Sequence, residues 1–144
     1  MTDEKSFQTL LEKGQHTARR DYLAREVDFE LEELSPGKAQ SRMTVQEKHI
    51  AANGFLHAAI GIFFADYTCG IGTRATLPES GINFATIDIS TSHLGTARKG
   101  QLLCKAHAAH VGTKTQVWEA EVSSLETGKV LILFRCTQVL FAKK

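Results

Sequence analysis

Residues 53–70 read Asn53-Gly54-Phe55-Leu56-His57-Ala58-Ala59-Ile60-Gly61-Ile62-Phe63-Phe64-Ala65-Asp66-Tyr67-Thr68-Cys69-Gly70. The stretch opens on an Asn-Gly turn signal and closes on Gly70, with Gly72 just beyond. Leu56, Ala59, Ile60, Phe63, Phe64 and Tyr67 recur at i, i+3, i+4, i+7, i+8 and i+11, which places them on one face of a helix. The other face, Ala58, Gly61, Ile62 and Ala65, is hardly polar. A helix apolar on most sides is buried rather than laid on a surface. Gly61 costs roughly 1 kcal/mol against alanine inside a helix, and close approach of another backbone is the expected return. One charge, Asp66, stands in this apolar surround. A lone carboxylate there is costly unless it is paired or useful.

The segments around this helix have a different period. Residues 3–13 carry Phe7, Leu10 and Leu11 among charges, with Gly14 after them, and predict a short amphipathic helix that stops there. Residues 15–25 are basic and irregular, with Arg19, Arg20 and Arg25, and read as a solvated connector. From Glu26 the period becomes two: Val27, Phe29 and Leu31 alternate with Asp28, Glu30 and Glu32. With the turn Ser35-Pro36-Gly37-Lys38, residues 26–46 form a predicted hairpin. After the helix come strand-like segments 83–94, 101–111, 115–125 and 130–142, separated by glycine-containing turns. Strands joined by short hairpins favour an antiparallel sheet. One long buried helix against it makes the fold class α+β. A strongly twisted sheet curling around that helix suits these elements.

The totals exclude several classes. The 144 residues suit a single domain, with 1–25 as helix and connector and 26–142 as its core. A net charge of +1 argues against a general nucleic-acid binder. There is no window of ~20 apolar residues, so no membrane partner is expected. The start, Met1-Thr2-Asp3-Glu4-Lys5, lacks the layout of a signal peptide, and three dispersed cysteines suit reduced thiols; a cytoplasmic location is expected. CxxC and HExxH patterns are absent from the sequence, and His107 and His110, three apart on a strand, are expected on opposite faces. No metal and no separate cofactor is expected.

Gly54-Phe55-Leu56-His57 and Asp66, nine positions after the histidine (66 − 57 = 9), resemble the central signature of hotdog-fold thioesterases of the phenylacetate-pathway (PaaI) type, in the 4-hydroxybenzoyl-CoA thioesterase-like superfamily. Thr86-Ile87-Asp88, Val117-Trp118-Glu119-Ala120 and Phe134-Arg135-Cys136-Thr137-Gln138 resemble the later strands of that family, so the resemblance spans about residues 25–142. Two positions depart from it. The family's glycine pair after the histidine is Ala58-Ala59, and its asparagine six positions before the histidine falls on Ala51, with Asn53 as the asparagine nearby.

The resemblance implies an acyl-CoA thioesterase, with coenzyme A as part of the substrate. Asp66 suits a general base on water or a direct nucleophile. The first-turn N–H groups at His57, Ala58 and Ala59 suit an oxyanion hole, since a helix start offers unpaired donors and a positive dipole end. His57 also suits a purely scaffolding role. Asp66 lies roughly 13 Å along the helix from that start at ~1.5 Å per residue. The resemblance resolves this distance: each site takes Asp66 from one subunit and the helix start from its partner, so a homodimer is expected, itself pairing into a dimer of dimers. Thr86 resembles a position whose hydroxyl holds the attacking water, and Asn53 is the candidate for the missing amide. Arg98 and Lys99, with Arg74 behind them, are candidates for the coenzyme A phosphates. Cys69 reads as a buried thiol. A non-hydrolytic acyl-CoA or aromatic-ligand binder, and a hotdog hydratase or dehydratase using His57 with Asp66, are the alternative functions.

Overall fold

In the computed structural model, which describes residues 3–144, six strands form one antiparallel sheet. They are β1 (Glu30–Ser35), β2 (Lys38–Thr44), β3 (Ile82–His93), β4 (Gln101–Val111), β5 (Thr115–Ser124) and β6 (Val130–Ala142). Their order across the sheet is β1-β2-β4-β5-β6-β3. Helices α1 (Asp3–Arg20) and α2 (Tyr22–Glu26) precede the sheet, and α3 (Ala58–Thr76) packs on one face of it. The hotdog architecture expected from the sequence is the one observed. The core between α3 and the sheet is built on Phe64, Met43, Leu102, Trp118 and Ile132, all fully buried.

The face that α3 buries differs from the predicted stripe. Gly61, Phe64, Ala65, Thr68, Cys69, Ile71, Gly72 and Thr73 are buried. Ile60, Phe63 and Tyr67 are half-buried, Ala59 is exposed, and Leu56 precedes the helix. A helix apolar all round leaves the hydrophobic period without a preferred side, and small side chains decide instead. A Cβ at Gly61 would lie 2.2 Å from Ile132 Cδ1, and one at Gly72 would lie 2.4 Å from Trp118 Cη2. The close neighbour at Gly61 is thus a side chain of the sheet, not a backbone. Neither Gly70 nor Gly72 ends the helix, which continues to Thr76. Two buried hydroxyl contacts key its inner face to the sheet, Thr68 to Ser41 and Thr73 to Gln138.

The N-terminal part also departs from expectation. Helix α1 runs through Gly14 because that glycine lets it press on β1: a Cβ there would lie 2.5 Å from Leu31 Cδ2. The predicted connector is mostly helical. Asp21 caps α2 by accepting from the N–H groups of Leu23 and Ala24 at 3.0 and 3.1 Å. Glu26 belongs to α2, and Asp28, at φ +51°, turns the chain into β1, so the strand begins later than its alternation suggests.

Strand β3 lies at an edge of the sheet and, among the described residues, pairs only with β6. A β-bulge at Ile87 resets its phase between Thr86 and Asp88. Phe84 packs over Gly70 and Thr86 reaches Asp66 before the bulge, and His93 faces Gly61 after it. Strict alternation would have turned His93 away. A second bulge, between Ala108 and His110, overturns the expectation that His107 and His110 point to opposite faces. His107 is opposite Glu119 and His110 is opposite Val117, two residues on the same outer face. Among the described residues no group of three or more metal-ligating side chains is assembled, and no helix is long and apolar enough to cross a membrane.

Candidate active site

Asp66 sits on the flank of α3 that faces the edge strand. Thr86 Oγ1 donates to Asp66 Oδ1 at 2.9 Å. Burial pushes the Asp66 carboxyl above the usual aspartate range, and the bond from Thr86 opposes that rise. A carboxylate held this way has a reason to take up a proton, which an exposed aspartate lacks.

The other half of the candidate chemistry lies at the start of α3, where His57 is the N-cap. The expected three-donor hole has two donors. The His57 N–H donates to the His49 carbonyl at 2.9 Å, whereas the N–H groups of Ala58 and Ala59 have no hydrogen-bond partner among the described residues. All three residues are exposed. The helix start therefore presents two free amides and its positive dipole end to solvent.

The loop leading into α3 is tightly shaped. Ile50 and Leu56 form an antiparallel bridge, and Ala51 N–H donates to Phe55 O at 2.7 Å. Asn53 is exposed, and its Oδ1 accepts from Phe55 N–H at 3.2 Å, so this amide shapes the turn. Ala51 places no side-chain donor beside the helix start. The Gly95–Gly100 turn is tied to the same loop: Leu56 N–H donates to Thr96 Oγ1 at 2.9 Å, and Arg98 Nε donates to the Gly54 carbonyl at 3.0 Å. Arg98 and Lys99 are exposed on this turn. Arg74 is at the far end of α3, donating to the carbonyls of Ile82 and Pro78.

Cys69 is fully buried, and the Cys136 thiol beside it, with burial, pushes its pKa up. Burial takes Cys104 up to about 12. Such thiols are poor nucleophiles. Two histidines went unread in the sequence. His93 faces the first turns of α3 only because of the bulge at Ile87, which no residue type announces. His49 lies between the predicted hairpin and the central helix, and it is 2% exposed.

With this geometry in place, comparison with known proteins decides the family. The sequence profile described as the thioesterase superfamily matches residues 53–131. The chain belongs to the thioesterase superfamily. It is a thioester hydrolase by that membership. A 1,4-dihydroxy-2-naphthoyl-CoA hydrolase of Listeria monocytogenes is 30% identical over 118 residues, which is 82% of this chain and 94% of the relative. The human acyl-coenzyme A thioesterase 13 is 28% identical over 108 residues, covering 74% of this chain and 75% of the relative. Among solved structures, a mutant thioesterase of Pseudomonas aeruginosa superposes with a TM-score of 0.85 at 20% identity, covering 92% of this chain and 94% of that one. A Haemophilus influenzae thioesterase gives 0.82 at 20% identity, covering 92% and 90%. These two establish the shared fold.

Proposed function

We propose that this superfamily member hydrolyses acyl-CoA thioesters at a site shared between two copies of the chain, as in the phenylacetate-type branch. The observation that carries the reading is the half-buried Asp66 carboxylate, oriented by Thr86 and raised in pKa by burial. As general base, Asp66 takes a proton from a water whose oxygen bonds to the acyl carbon. The thioester oxygen, gaining negative charge, is held by the free N–H groups of Ala58 and Ala59. The C–S bond then breaks, its electron pair leaves with the coenzyme A sulfur, and the proton on Asp66 returns to that sulfur. Arg98 and Lys99 take the phosphates.

Distance and the free edge support the dimer. Asp66 and Ala58 are roughly 12 Å apart along α3 at ~1.5 Å per residue, too far to meet at one carbon. Strand β3 offers a 12-residue edge with Asp88 as its one carboxylate, and Ile87 and Ile89 are 61% and 42% exposed. Unpaired edges of this length invite pairing with another chain. Joining two β3 edges would set two α3 helices side by side and antiparallel, each Asp66 facing the other's helix start.

Thiol release from short, medium, long and aryl acyl-CoAs tests the reading. Turnover of at least one class, lost in Asp66→Ala, supports it; retained turnover in that variant rejects it. Ala51, which supplies no amide, favours a non-hydrolytic binder as the second reading, and ligand binding without thiol release would identify that function.

A further inference from the structure

We propose that His49 is a positioning residue for the thioester-binding end of α3, an inference that rests on the function proposed above. Its imidazole is 2% exposed and fastens two chain segments. Nδ1 accepts from Gln46 N–H at 2.9 Å, so Nε2 carries the ring proton and donates to the Glu26 carbonyl at 2.8 Å. The same residue's main-chain carbonyl accepts the His57 N–H at 2.9 Å. One residue thus links the end of α2, the 3-10 turn Glu47–His49 and the N-cap of α3.

The consequence is chemical as well as structural. Anchoring the His57 amide fixes where the helix begins, and it leaves the Ala58 and Ala59 amides as the donors available to a ligand. Oxyanion donors act only if they are aimed beforehand at the charge that develops. Two other contacts join the same segments, Lys48 to Glu26 at 2.6 Å and Gln46 to Asp28. Both involve exposed side chains, whose links to solvent-facing partners hold geometry weakly. The buried ring is the rigid member of this set.

The test uses the full-length chain with an acyl-CoA that the wild type turns over. His49→Phe fills the space but makes neither bond. Its kcat should fall by about 10- to 100-fold, the scale of a small misplacement of a reacting group, while KM stays within about twofold. His49→Gln, which can still donate to Glu26 O, and His49→Asn, which can still accept from Gln46 N–H, should recover part of that loss. Lys48→Ala should leave kcat unchanged. Amide exchange at His57, whose N–H is held by the His49 carbonyl, should quicken in His49→Phe while that of Phe64 and Cys69 stays slow. If His49→Phe fails to fold, the same comparison is made with the Gln and Asn variants. Unchanged kcat in a folded variant, or a loss carried wholly by KM, overturns the proposal. A wild type that releases no thiol overturns the proposed function instead, and the exchange measurement then still decides whether His49 sets the helix start.

Discussion

Thr86 Oγ1 on the edge strand donates to Asp66 Oδ1 on the central helix at 2.9 Å, and the next residue of that strand, Ile87, is a β-bulge. The bulge comes directly after the contact, so Thr86 keeps the inward phase of the first half of the strand and His93 takes the inward phase of the second. This pairing of a buried acid with a hydroxyl governs the first two predictions.

Asp66→Asn should lose about 10²- to 10⁴-fold in kcat, the usual contribution of a general base, and should also be more stable than the wild type at neutral pH. Burial raises the Asp66 pKa in the folded chain, so the folded state binds the proton more tightly than the unfolded state. Stability then falls as pH rises between the unfolded and folded pKa values, and that loss persists at neutral pH. Thermal melts should show the variant's advantage at pH 7, closing as pH drops below the unfolded aspartate value near ~3.9. A variant less stable than wild type at pH 7 would contradict this.

Thr86→Val removes the bond that favours the ionised carboxyl, leaving burial unopposed. The acid limb of the kcat/KM profile should move to higher pH, and Thr86→Ser should leave it in place. A pH–rate profile identical for all three proteins would mean that Asp66 is not the titrating base.

Ala58→Pro deletes one free amide at a position where helices tolerate proline, because the first helical N–H needs no partner inside the helix. His57, at ψ 126°, already has the extended conformation that precedes a proline. Circular dichroism should be unchanged, and kcat should fall by about 10²- to 10³-fold as for loss of an oxyanion donor. Wild-type kcat in this variant would remove the Ala58 amide from the mechanism.

The two core glycines should respond differently to alanine. At Gly72 the added methyl meets the rigid indole of fully buried Trp118, and a loss of about 1–3 kcal/mol is expected. At Gly61 it meets the Cδ1 of Ile132, the free end of a side chain, and a gain of about 1 kcal/mol in helix propensity offsets the repacking. Denaturant melts of the two variants should therefore differ, Gly72→Ala being the weaker.

Much of the fold was legible because strand alternation and turn chemistry are local. Segments 101–111 and 130–142 coincide closely with β4 and β6. Asp66 was legible as a charge without polar company, and Thr86 through its resemblance to a family position. What escaped the reading depends on packing across the chain. Gly14 and Gly72 look like helix stops until Leu31 and Trp118 are in place against them. Bulges at Ile87 and near His110 leave no mark in residue type, yet they decide which way His93 and His110 point. His49 gains its role only when Glu26 and Gln46 are brought to its ring.

The central claim is that each site is built from two chains. Asp66→Ala and Ala58→Pro, each inactive alone, can be co-expressed so that mixed dimers form. In a mixed dimer one site lacks both groups and the other keeps an intact Asp66 facing an intact Ala58 amide. Random pairing in a two-fold dimer should restore about a quarter of the wild-type rate per chain. A mixture that stays as inactive as its parents would show that no site is shared between chains.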